Sequence, residues 1–258
     1  ITGKLSGPGK LVAHKDNEGT LLVESSDNTS GTPNGQHGNA HEAKLINLDG
    51  DKPNESVSVR KGETVLLNGS RSDVYVDEGG VFGGNATVKD LSVAGVVAPG
   101  NSPGKITVLN SFSMQGTGVY KAEILDKDHY DQIVAQSVQL SNGGNSSKLE
   151  LVYLPGGTIK KGDTFTIINN NGSAPVQGTF NGLPEGAEFA VDGATFKISY
   201  VGGDGNDVVL TAQNDSTGPK APNTGGENVA VNLAGTIVGV ASAAILLFMA
   251  KRKSFGKK

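Results

Sequence analysis

Short β-prone runs recur along most of this chain, and that rhythm constrains its fold more than any other feature. Leu21-Leu22-Val23, Lys44-Leu45-Ile46, Thr64-Val65-Leu66-Leu67, Val74-Tyr75-Val76 and Leu91-Ser92-Val93 open the series. Ile106-Thr107-Val108-Leu109, Val119-Tyr120-Lys121-Ala122-Glu123-Ile124 and Leu149-Glu150-Leu151-Val152-Tyr153 continue it. Between Val74 and Val119 the runs begin roughly 13 to 17 residues apart, separated by Gly-Gly or Pro-Gly, which is the spacing of stacked short strands. The 38 glycines supply the left-handed turn positions that such a pattern needs. No stretch of this region carries a convincing amphipathic helix. The pattern suits a solenoid or a sandwich. The expected fold class is all-β, a right-handed parallel β-helix over residues 1–212 with a terminal hairpin, because each coil can bury its apolar side chains against the next.

Residues 229–250 are of another kind. They contain no charge, and Val231, Leu233, Ile237, Val238, Val240, Ile245, Leu246, Leu247 and Phe248 make them strongly apolar. As a helix they would span roughly 33 Å, enough to cross a bilayer core. Lys251, Arg252 and Lys253 follow at once, and residues 251–258 form a basic tail ending in Lys257 and Lys258. Basic residues beside a span stay in the cytoplasm, so a C-terminal transmembrane helix is expected with the body of the chain outside the cell. Residues 213–228 hold almost nothing apolar, and a disordered spacer is expected there. The chain starts at Ile1 rather than methionine, and is read as a fragment or processed form.

Just before the span stand Ala221-Pro222-Asn223-Thr224-Gly225. With the apolar segment and basic tail, they resemble the sortase cell-wall sorting signal, Leu-Pro-x-Thr-Gly; Ala221 replaces the usual leucine. The resemblance implies that a sortase thiolate attacks the Thr224 carbonyl and releases the chain from Gly225 onward. An amine of the peptidoglycan precursor then resolves the acyl-enzyme. The implied partners are sortase, that precursor and the membrane, with a ligand on a host or neighbouring cell left open. The implied location is the cell wall of a single-membrane bacterium. A plain, uncleaved membrane anchor is the alternative.

A second resemblance covers much of residues 1–212. Asp77-Glu78-Gly79-Gly80-Val81-Phe82-Gly83-Gly84-Asn85-Ala86-Thr87-Val88 and Val97-Ala98-Pro99-Gly100-Asn101-Ser102-Pro103-Gly104-Lys105-Ile106-Thr107-Val108 resemble autotransporter-associated β-strand repeats. That family implies a β-helical stalk holding an adhesive or enzymatic region away from the cell. A structural stalk, or adhesin, is therefore the expected function, with a carbohydrate-active enzyme on the same scaffold as the alternative.

Composition excludes several chemistries. The absence of cysteine removes disulfides, thiolate metal sites and a cysteine nucleophile. A net charge of −4 without an internal basic cluster speaks against nucleic-acid binding. Gly202-Gly203-Asp204-Gly205-Asn206-Asp207-Val208-Val209-Leu210 fits the calcium nonapeptide, but such sites need two adjacent turns and only one copy is present. It is read as a hairpin turn between Phe196-Lys197-Ile198-Ser199-Tyr200 and Val208-Val209-Leu210, with a calcium-stabilised module as the alternative; no metal ligand and no cofactor is assigned. Of the histidines, His14, His37, His41 and His129, the pair His37 and His41 sits in a glycine- and asparagine-rich loop that would not align it for a metal. Asp126, Lys127, Asp128, His129, Tyr130 and Asp131 are read as one solvated turn. No serine is read as a nucleophile elbow, so catalysis is not expected and no catalytic residue is assigned.

Overall fold

The computed structural model describes residues 43–100, 102–140 and 147–220, together with the backbones of two earlier strands. Nineteen strands and no helix are present among the described residues. The first eight are β1 (Lys10–Lys15), β2 (Leu21–Ser26), β3 (Ala43–Asp49), β4 (Val57–Val59), β5 (Glu63–Val76), β6 (Val81–Gly84), β7 (Ala86–Val93) and β8 (Val96–Pro99). Next come β9 (Lys105–Met114), β10 (Val119–Asp126), β11 (His129–Tyr130), β12 (Gln132–Gln139), β13 (Lys148–Tyr153), β14 (Thr158–Ile159) and β15 (Thr164–Asn170). The series ends with β16 (Glu188–Val191), β17 (Ala194–Gly202), β18 (Asp207–Ala212) and β19 (Ser216–Thr217).

Seventeen of these strands form a large mixed sheet with two parallel ladders at its heart, and β14 and β19 form a separate two-stranded sheet. In one ladder Ile46 lies beside Val65, Val65 beside Phe82, Phe82 beside Val97, Val97 beside Tyr120, and Tyr120 beside Leu149. In the other, Val57 lies beside Val74, Val74 beside Leu91, Leu91 beside Phe112, and Phe112 beside Val138. The long strand β5 belongs to both, pairing through its first half with β3 and β6 and through its second with β4 and β7. Buried and half-exposed positions alternate along these strands, which sends Val88, Leu91, Val93, Val108 and Phe112 inward.

Between the two halves of β5 the backbone turns at Gly69, and the next pass turns at Gly84. Gly84 has φ +93°, and a Cβ there would lie 2.2 Å from the Leu67 carbonyl oxygen, so glycine is required by both conformation and space. Asparagines bind neighbouring passes at this corner. Asn68 Oδ1 accepts the Asn85 N–H, and Asn85 Oδ1 accepts the Lys105 N–H. Backbone donors exposed by the turn are thereby satisfied.

Antiparallel strands close both ends of the ladders. At one end β1 pairs with β2 and β2 with β3; at the other β18 pairs with β15, β17 with β18, and β16 with β17. Aromatic residues concentrate under the second cover. Phe165 meets Tyr130 and Phe196 edge-on at centroid distances of 5.5 and 5.9 Å, and Phe180 lies between Tyr120 and Tyr200. Large flat side chains seal the place where one strand direction gives way to the other.

One expectation changes. Order runs past Ala212: β19 pairs with β14, Lys161 N–H donates to Asp215, and Gly156 N–H donates to the Pro219 carbonyl. The start of the region expected to be a disordered spacer therefore belongs to the folded body, because backbone pairing compensates for its lack of apolar side chains. The rest of that spacer, Ala221, Pro222, Asn223, Thr224 and Gly225, the expected span at 229–250, and Lys251, Arg252 and Lys253 lie outside the described residues. Among the described residues no helix is long and apolar enough to cross a membrane.

Candidate functional site

The densest buried polar chemistry lies where β8 turns into β9. Gly100 and Ser102 both take left-handed conformations, with φ +84° and +64°. The turn is so tight that a Cβ on Gly100 would lie 2.3 Å from the Gly104 Cα. Three charged side chains converge on it from later strands. Asp131, between β11 and β12, is 1% exposed; Glu123 and Lys121, on β10, are 5% and 6% exposed.

Asp131 holds the turn to β10. Its Oδ1 accepts the Gly104 N–H at 2.7 Å and its Oδ2 accepts the Glu123 N–H at 2.9 Å. Ser102 donates its hydroxyl to Glu123 Oε2 at 2.5 Å. Lys121 Nζ reaches Glu150 Oε1 at 3.5 Å, and Tyr120 donates to the Ile167 carbonyl at 2.9 Å. Sequence reading placed Asp131 in a solvated turn with Asp126, Lys127, Asp128 and His129. The structure removes it from that turn, because the short β11 pairing reverses the chain and points the next side chain inward.

Burial raises the pKa of both carboxyls. For Asp131 desolvation is the largest cause and the Glu123 charge the next, against two backbone hydrogen bonds that lower it. For Glu123 desolvation again leads, opposed by the Ser102 hydroxyl and Lys121. A raised pKa means that the folded state binds its proton more tightly than the unfolded chain does. The associated stability is fully present below the unfolded value, about 4 for a carboxyl, and is lost as pH rises through the raised folded values. The folded body should therefore have a higher urea midpoint in mild acid than at neutral pH. Glu123→Gln should flatten that dependence; an equally steep profile in the variant would refute the assignment.

Ser102 also corrects the reading of the serines. Gly100-Asn101-Ser102-Pro103-Gly104 has the Gly-x-Ser-x-Gly spacing of a nucleophile elbow, hidden inside the repeat-like block. Its hydroxyl has a carboxylate acceptor in Glu123, and its φ is the strained kind found at such elbows. The setting departs from the usual elbow, since strand leads to strand rather than to helix. In addition, the Gly104 N–H, which could have stabilised an oxyanion, already serves Asp131.

The neighbouring turn is exposed. Asp126 Oδ1 accepts the Asp128 and His129 N–H groups and lies 2.8 Å from His129 Nδ1. The Asp126 pKa is lowered overall. Slight burial pushes it up, but the Asp128 N–H and the contacts to His129 outweigh it. No serine hydrogen-bonds this histidine among the described residues, so the pair supplies two members of a possible triad and not the third. His14 lies on β1, while His37 and His41 are outside the described residues. Among the described residues no group of three His, Asp or Glu side chains is arranged to hold a metal.

The loop at residues 202–207 joins β17 and β18, which pair antiparallel, so the nonapeptide-like stretch lies at a hairpin. Sequence reading did not foresee its partner, the loop at residues 170–174. Asp207 Oδ1 accepts the Asn170 N–H at 2.8 Å across that contact.

No family model matches the chain. Among curated proteins, it is similar to an extracellular serine protease of Serratia marcescens, 31% identical over 94 residues. Those residues are 36% of this chain and 9% of that protein. The similarity overturns the expectation of a non-enzyme, because the protein sharing this stretch is named for a catalytic activity.

Proposed function

We propose that this chain is the display stem of an extracellular surface protein, a right-handed parallel β-helix that carries an activity away from the cell. The observation that carries the reading is the pair of in-register parallel ladders running through Val65, Phe82, Val97 and Tyr120 and through Val74, Leu91 and Phe112. A stack in which each pass contacts only its neighbours makes a stiff, extensible rod. The extracellular relative supports the location, and its protease name supplies one activity that such a stem would serve. Small-angle scattering of the purified protein should return an elongated particle. A compact sphere would defeat the stem.

Anchoring belongs to the same proposal. Ala221-Pro222-Asn223-Thr224-Gly225, the charge-free segment and Lys251-Arg252-Lys253 stand in the order a sortase substrate needs, and this supports reading the stem as attached to a cell wall. Thr224→Ala should shift the protein from the wall fraction to the membrane fraction. If the variant reaches the wall as well as the parent, sortase processing at Thr224 is wrong and a plain membrane anchor takes its place.

A second reading is favoured by Ser102 itself. In it Glu123 accepts the hydroxyl proton as the Ser102 oxygen forms an ester with an acyl substrate, whose leaving group departs with the electron pair of its broken bond. A fluorophosphonate probe should then modify Ser102 in the native protein and not in Glu123→Gln. Failure to label native protein discards this reading and leaves the stem untouched.

A further inference from the structure

On the outer wall of the ladder through Val74, Leu91 and Phe112, one aromatic side chain stands in the open. Tyr75 is 50% exposed, and its hydroxyl makes no hydrogen bond among the described residues. An aromatic on a sheet face usually packs against its cross-strand neighbours. Here those neighbours are Ser58 on β4 and Ser92 on β7, and Ser113 on β9 continues the row. Serines on both sides are too short to cover the ring, which leaves half of it to solvent.

The same short side chains open a groove of about 170 Å³, lined chiefly by Tyr75, Asp90, Leu91, Ser92, Ser111 and Ser113. Asp90 is fixed in place, its Oδ1 accepting the Ser111 N–H at 3.1 Å and its Oδ2 the Asn110 side-chain amide at 3.3 Å. The lining thus combines an aromatic surface, serine hydroxyls and a held carboxylate. Here β5, β7 and β9 are each paired on both sides, so the groove offers side chains and no free backbone edge to an extended peptide. Asp90 is the one charged residue of the lining, and Asp73 stands beside it on the neighbouring strand. Lys89, the only cation of β7, does not line the groove. Carboxylated, sulfated or phosphorylated ligands are therefore disfavoured by charge. What fits is a ligand apolar on one face and hydroxylated around its rim.

We propose that this groove binds a neutral saccharide. A sugar ring packs its C–H face on Tyr75, donates hydroxyl protons to Asp90, and exchanges hydrogen bonds with Ser111 and Ser113. The groove is smaller than the roughly 300–1,000 Å³ of enclosed ligand pockets, so one site should be weak, with Kd on the order of 10⁻³ M. It belongs to the ladder itself, and does not depend on what the stem carries or how it is anchored.

The test applies saturation-transfer NMR, which detects weak ligands, to the full chain. The probes are cellotetraose, maltotetraose and N-acetylchitotetraose, with tetragalacturonate as the acidic counterpart. At least one neutral probe should receive magnetisation from the protein, and tetragalacturonate should not. Tyr75→Ala removes a half-exposed side chain without disturbing the core, and should weaken binding about tenfold. Ser113→Leu fills the groove, leaves Tyr75 in place and should abolish binding. No transfer to any of the neutral probes overturns the proposal. So does transfer that survives either substitution undiminished, which puts the sugar elsewhere, and so does equal transfer to tetragalacturonate, which marks unselective adhesion.

Discussion

Asp131→Ala should lower the unfolding free energy by about 3 kcal/mol, which urea denaturation followed by circular dichroism can read directly. The figure follows from the two buried N–H groups of Gly104 and Glu123, each of which loses its acceptor at a cost of about 1–3 kcal/mol. Removing a buried charge offsets part of that loss, because burial and the Glu123 charge both raise the cost of ionising Asp131. Asp131→Asn keeps one acceptor and should lose about half as much. The contrast between the variants separates the hydrogen bonds from the charge. Were alanine to cost no more than asparagine, the turn at residues 100–104 would not depend on this carboxylate.

Phe112→Ala should cost about 4 kcal/mol, within the range for emptying a fully buried phenyl site. Phe112 is 0% exposed and stands in the middle of its ladder, with Leu91 on one side and Val138 on the other. Parallel backbone pairing on both sides restricts collapse into the space left behind, so the cost should fall in the upper part of the range. Tyr75→Ala on the outer face of the same ladder is the control. Tyr75 is 50% exposed, and its loss should move stability by no more than about 0.5 kcal/mol. Equal losses at the two positions would mean that the interior of the ladder is not the source of stability.

The strands were legible because alternation is local. Each run named from sequence lies within a strand, from Leu21-Leu22-Val23 in β2 to Leu149-Glu150-Leu151-Val152-Tyr153 in β13. Thr64-Val65-Leu66-Leu67 and Val74-Tyr75-Val76 turned out to be one strand rather than two, since Gly69 bends the chain without ending its pairing. Less could be read of the buried corner. A run such as Asp126-Lys127-Asp128-His129-Tyr130-Asp131 is uniformly polar, and polarity alone does not reveal that the last carboxylate will meet the Gly104 N–H from a distant turn. Ser102 was hidden for a different reason: its glycines read equally well as turn punctuation and as an elbow.

What the amino-acid sequence determined by itself was the all-β class, the turn positions that require glycine, and the hairpin between β17 and β18. All three follow from side-chain periodicity and backbone conformation within a few residues. Only the tertiary structure decided that Asp131 is buried, that Ser216 and Thr217 join the folded body, and that residues 170–174 meet residues 202–207. Each of these contacts joins groups far apart along the chain. Their energies arise from desolvation and pairing that exist only after the strands have stacked.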